Sequence, residues 1–123
     1  MSTGDARELL QSETVNSLAG IFKVLGDPTR VRILDVLARG ERSVSNLADV
    51  LGLTESAVSH QLRLLRNTRI VRSRRDGRMI FYALDDQHVL DLFHQGLRHV
   101  QEDGAARGPG AGVRGAGAGR RRA

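Results

Sequence analysis

The sequence predicts a mainly α-helical fold carrying one small β-hairpin, and three observations point there. Apolar residues recur at helical spacing in five stretches between residues 14 and 102. One segment, residues 70–84, instead shows two short runs flanking an Asp-Gly pair. The hydrophobic fraction is 40%, yet the chain has one Tyr, three Phe and no Trp. Its core therefore rests on Leu, Val, Ile and Ala, which suits packed helices.

Residues 1–11 read as a flexible leader. A first helix follows from about Thr14 to Leu25, with Val15, Leu18, Ile21, Phe22 and Leu25 on one face, and Gly26 ends it. Asp27-Pro28 restarts the chain, Asp as N-cap and Pro at the first helical position, where a missing N–H costs nothing. That second helix runs to about Ala38, its face made by Val31, Leu34, Leu37 and Ala38, and Gly40 closes it. Val44, Leu47, Ala48 and Leu51 then mark a short amphipathic helix. Gly52-Leu53-Thr54 supplies a turn in which Thr54 caps the next helix, Glu55 to about Arg66, with Val58, Leu62 and Leu65 inward. Two helices joined by a short Gly-containing turn form a helix-turn-helix unit. The runs Ile70–Arg74 and Met79–Leu84 flank Asp76-Gly77, a pair that tolerates positive φ in tight hairpins. A two-stranded ribbon placed there is a wing. A last helix spans about Gln87 to Glu102.

Residues 12–103 thus make one domain. The twenty residues 104–123 hold seven Gly, one Pro and five Arg, a composition that cannot build a core and predicts disorder. A domain this small buries a limited share of its surface, so a subunit interface would help it. No run of about 18 apolar residues exists to span a membrane, and the polar N-terminus lacks a secretory signal, so a cytoplasmic location is expected. Cysteine is absent, which removes disulfides, thiolate metal sites and thiol redox sensing. An enzyme fits poorly, with no Gly-rich phosphate loop and no credible Ser/His/Asp set.

The net charge of +5 comes from the tail: the first 103 residues carry 14 basic and 14 acidic groups. Within them, His60 to Arg78 holds seven Arg against Asp76, while Asp85 to Asp103 holds five acids against Arg98. One region suits a polyanion and the other a cation. The second helix of a helix-turn-helix enters the major groove, where hydrogen-bonding side chains read base edges. Opposite its apolar stripe this helix presents Ser56, Ser59, His60, Gln61 and Arg63, with Gln61 able to pair two-pronged with adenine. The wing adds Arg72, Arg74, Arg75 and Arg78 for flanking phosphates or an adjacent minor groove. Double-stranded DNA is the expected partner.

Three segments carry a family resemblance over about Val15 to Glu102. They are Leu25-Gly-Asp-Pro-Thr-Arg-Val-Arg-Ile-Leu34, Val50-Leu-Gly-Leu-Thr-Glu-Ser-Ala-Val-Ser-His-Gln-Leu-Arg-Leu-Leu65, and Arg74-Arg-Asp-Gly-Arg78 with Phe81-Tyr82. Together they resemble the ArsR/SmtB family of metal-sensing repressors. The resemblance implies a winged helix-turn-helix homodimer built on the first and last helices. It also implies operator binding relieved by an inducer, often a metal ion; a metal-independent member with another inducer is the alternative.

In the last helix, Asp86, His88, His99 and Glu102 are plausible metal ligands. His88 and His99 share a face to within about 20°, yet eleven residues rise about 16 Å, too far to meet around one ion. Two copies packed antiparallel would bring Asp86 and His88 of one chain to His99 and Glu102 of the other, twice by symmetry. On the residues alone, a solvated polar helix face reads equally well. The resemblance implies the metal site, because the four positions match a last-helix site of part of that family. Two imidazoles and two carboxylates suit zinc, with cobalt or nickel as competitors. The family's cysteine-bearing positions hold Ser43 and Ser45 here, which argues against a soft-metal sensor of that type.

Overall fold

The computed structural model describes residues 8–107, which fall into two units meeting in sequence at Asp86 and Gln87. The first seven residues of the expected leader and residues 108–123 of the expected tail lie outside the described residues.

The first unit comprises α1 (Ser12–Leu25), α2 (Pro28–Leu37), β1 (Arg42–Ser43), α3 (Val44–Leu51), α4 (Glu55–Asn67), β2 (Val71–Asp76) and β3 (Met79–Leu84). Local chemistry sets these bounds. The Asp27 carboxylate accepts the Arg30 backbone N–H at 3.1 Å with Pro28 at the first helical position. Ser43 caps α3 through the Asn46 N–H at 3.2 Å, and Thr54 caps α4 through the Ala57 N–H at 3.0 Å. Each such cap is typically worth about 1 kcal/mol.

The core joins α2, α3, α4 and the sheet: Ile33, Leu34, Leu37, Leu47, Val58, Leu62, Leu65 and Val71 are all buried. Burying each large apolar side chain contributes roughly 1.5–3 kcal/mol before chain entropy is charged against it. The α4 stripe lies where the periodicity puts it. The α2 face differs, because Val31 is exposed while Ile33 and Val36 are buried. This helix packs on α3, α4 and β3 together, so it buries a broader face than one contact stripe requires. α1 buries no residue at all; Val15, Leu18 and Phe22 of its apolar stripe stand exposed.

The sheet has three strands rather than the expected two, in the order β1-β3-β2. β1 pairs Arg42 with Tyr82 and Ser43 with Phe81, antiparallel. Between β2 and β3, Val71 pairs with Leu84 and Asp76 with Met79. Asp76 is therefore the last strand residue, and the turn is Gly77-Arg78 rather than Asp76-Gly77. Gly77 has φ 63° and Arg78 is not among the positive-φ residues, the pattern of a type II′ hairpin turn.

The second unit is one helix, α5 (Gln87–Arg107), running past its expected end near Glu102. Ala105 and Ala106 are strong helix formers and help offset Gly104, which costs about 1 kcal/mol. In the first turn Gln87 Nε2 donates to Asp91 Oδ1 at 2.9 Å.

Candidate nucleic-acid interface

Helix α4 is oriented by what lies on either side of it. Gly52, at φ 68° and ψ 35°, takes the left-handed conformation that lets α3 end and the chain turn at once. The Leu53 N–H donates to the Ala48 carbonyl at 2.9 Å, closing the turn. Val58, Leu62 and Leu65 then point inward and are fully buried, which forces the opposite face outward. On that face Ser56, His60 and Arg63 are exposed, while Ser59 and Gln61 lie at its two flanks and are half-buried.

Gln61 has a partner inside the protein. Arg30 Nε donates to Gln61 Oε1 at 2.8 Å, while Arg30 Nη1 donates to the Val24 carbonyl at 3.1 Å. A two-pronged adenine contact would share that amide oxygen, which keeps a second lone pair. The other four residues of the α4 set remain together on the outer face.

The four wing arginines divide into two pairs. Arg72 turns back along the sheet, donating to the carbonyls of Leu84 at 3.2 Å and Asp85 at 2.6 Å. Arg74 makes a two-pronged contact with Glu41, Nε to Oε2 at 2.8 Å and Nη2 to Oε1 at 2.7 Å. Its guanidinium lies 4.8 Å from the centre of the Phe81 ring, an attractive cation–π position. Phe81 stands opposite Arg74 on β3, so the side chain crosses that strand to reach Glu41 beside β1. Arg74 hydrogen-bonded to Glu41 holds its carboxyl below the usual carboxylate range, and the same contact raises the Arg74 guanidinium. Arg75 and Arg78 are exposed at the far end of the hairpin. Arg78 is the second residue of the turn, and Arg75 lies next to the last residue of β2.

The proposed metal ligands lie at and beyond the start of α5. Asp86 precedes it, His88 is its second residue, and His99 and Glu102 lie farther along. Among the described residues, no three His, Asp or Glu side chains gather where they could hold an ion. His94 is exposed, with its ring 5.9 Å from that of Phe93.

These features agree with comparisons to known proteins. Residues 27–73 match the bacterial regulatory protein, arsR family. Over 95 residues the chain is 43% identical to the transcriptional repressor SmtB homolog of Synechocystis sp., covering 77% of this chain and 72% of that protein. It is 37% identical over 98 residues to the cadmium resistance transcriptional regulatory protein CadC homolog of Staphylococcus aureus, covering 79% and 81%. The homodimeric winged helix-turn-helix DNA-binding domain Mb0332 of Mycobacterium bovis is similar in structure, with a TM-score of 0.68 at 29% identity, covering 87% of this chain and 92% of that one. With a capped α4 presenting polar side chains outward and a hairpin wing following it, the chain belongs to the arsR family, whose members are DNA-binding transcriptional regulators and not enzymes.

Proposed function

We propose that this protein is a metal-responsive repressor that grips operator DNA as a homodimer and is released when an ion binds. The observation that carries the DNA reading is the outward face of α4, where Ser56, His60 and Arg63 stand exposed over a fully buried apolar stripe. Arg75 and Arg78 at the hairpin turn extend it toward flanking phosphates. Dimerisation is supported by the exposed apolar residues of α1, Val15, Leu18 and Phe22, and of α5, Leu92, Leu97 and Val100. A second copy covering those stripes would remove apolar surface from water.

The donor set of Asp86 and the α5 residues His88, His99 and Glu102 fits a metal of intermediate softness. His88 and His99 offer imidazole nitrogens, Asp86 and Glu102 offer carboxylate oxygens, and the chain has no thiolate to compete. Both histidines sit on one helix about 16 Å of rise apart, so a site closes only when antiparallel α5 helices bring opposite ends together. Asp86 and His88 of one protomer with His99 and Glu102 of its partner would then hold zinc, cobalt or nickel. A held ion supplies a bridge between the two helices. The residues so joined favour one dimer geometry over others, a linkage typically worth 1–3 kcal/mol. A geometry that misaligns the two α4 helices with successive major grooves releases DNA.

The test is a zinc titration of the full chain on duplex DNA from the upstream region of its own gene, followed by fluorescence anisotropy. Loss of anisotropy near one zinc per subunit, absent in His99→Ala, supports the reading. Tight DNA binding that ignores zinc, cobalt and nickel would leave a repressor with a different inducer.

A further inference from the structure

We infer that Arg30 is a positioning residue for DNA recognition: its guanidinium ties Gln61 of α4 to the end of α1 and so fixes the angle at which α4 is presented. The inference rests on the reading that α4 enters the DNA groove.

Arg30 sits in the first turn of α2, where its own backbone N–H is taken by the Asp27 cap. Its half-buried side chain leaves that helix and makes two contacts in different directions. One is to the Val24 carbonyl, in the last turn of α1. The carbonyls of a last turn lack helical partners and lie at the negative end of the helix dipole, so a guanidinium satisfies both deficits there. The other contact is to Gln61 Oε1, in the middle of α4. Arginine nitrogens only donate, so chemistry requires the amide oxygen of Gln61, not its nitrogen, to face Arg30.

The planar guanidinium holds these two partners in a fixed relation that a lysine ammonium does not reproduce. Arg30 thereby links three helices at one point. Gln61 lies about 60° of helical rotation from the buried stripe, at the flank of α4, so its tether sets the rotation of the helix and with it the direction in which the outward face points. The buried stripe of Val58, Leu62 and Leu65 holds α4 against the core, but apolar packing is non-directional. A hydrogen-bonded strut adds the directional constraint that apolar contacts lack.

The test measures specific and random duplex binding of the full chain without metal, across a salt series, for Arg30→Met, Gln61→Met, the double variant, Arg30→Lys and Arg63→Ala. Each methionine variant is expected to weaken specific binding roughly tenfold, within the range of coupled contacts, and to leave random-duplex binding unchanged. The double variant should be no weaker than Arg30→Met alone, because Arg30→Met already removes the Arg30–Gln61 bond that Gln61→Met breaks. Arg30→Lys should not restore affinity. The slope of log affinity against log salt should stay at the wild-type value, since the Arg30 guanidinium is engaged with Gln61 and Val24 inside the protein.

A slope reduced by about two in Arg30→Met, one per protomer of the dimer, would make Arg30 a phosphate contact and overturn the inference. Additive losses in the double variant would do the same. Wild-type binding by both methionine variants, with Arg63→Ala weakened, would remove the strut and keep the DNA reading. Wild-type binding by Arg63→Ala as well would remove that reading instead. Should Arg30→Met fail to fold, Gln61→Met decides alone, because it spares the Arg30 bond to Val24.

Discussion

Helix α4 and the wing carry similar polar side chains, yet the two elements distribute them by different rules. In α4 a period of 3.6 separates the faces, so burying Val58, Leu62 and Leu65 determines which residues point outward. In the wing the strand period of two places Arg72 and Arg74 on one face and Arg75 on the other. What Arg72 and Arg74 then do depends on partners distant in sequence: carbonyls at residues 84 and 85, and a carboxylate at Glu41. Adjacent residues of one type therefore do different work. Arg74 braces the sheet, and Arg75 is left at the tip.

The largest effect should come from breaking the inward side of α4. Leu62→Ala is expected to lower unfolding free energy by about 2–5 kcal/mol, measured by urea denaturation, because a fully buried side chain leaves a cavity. A loss under 1 kcal/mol would show that α4 is not anchored by this stripe.

A smaller effect, of about 1–2 kcal/mol each, is expected for Gly52→Ala and Gly77→Ala. Neither added Cβ meets any atom within 4 Å, so the cost is conformational, from φ values of 68° and 63°. Gly52→Ala should displace α4 and weaken DNA binding. Gly77→Ala should disturb only the hairpin, which hydrogen exchange of β2 and β3 amides would show. Equal exchange changes in α4 and the wing would mean that the two elements are not separable.

The smallest effect concerns acid. The pKa of Glu41 is lowered in the folded protein by its bond to Arg74, so its contribution is present above the ordinary carboxylate pKa. It is lost as pH falls through the lowered value. Exchange of wing amides should rise over that interval in the wild type and show no such step in Glu41→Gln. An identical acid response in both would remove the brace from the account.

Much of this organisation is legible from residue order, and the exceptions have physical causes. The caps Asp27 and Thr54 and the turn at Gly52 act on neighbours three or four residues away, so local spacing reveals them. β1 escapes because two residues, Arg42 and Ser43, carry no alternation to detect. The hairpin turn lies one residue later than Asp-Gly suggests, since the Val71–Leu84 register places Asp76 opposite Met79. Spacing alone does not distinguish Ile33 and Val36 from Val31 as core residues; the three partners of α2 decide which are buried. The engagement of Gln61 by Arg30 spans 31 residues, and that of Arg74 by Glu41 spans 33. No spacing rule reaches so far, and these are the two places where the site differs most from its sequence pattern. The ligand set proposed along Asp86, His88, His99 and Glu102 lies at the same limit, because its closure would require a second copy of the chain.

The most direct test of the α4-and-wing account is the salt dependence of binding to one specific duplex by the wild type, Arg75→Ala/Arg78→Ala and Arg72→Ala/Arg74→Ala. Each phosphate contact removed should lower the slope of log affinity against log salt by about one. The account predicts a slope reduced by about four for the tip pair, two contacts from each protomer of the dimer, and unchanged for the base pair. A reduction in the base pair matching or exceeding that of the tip pair would contradict it, placing the DNA on the braced side of the sheet.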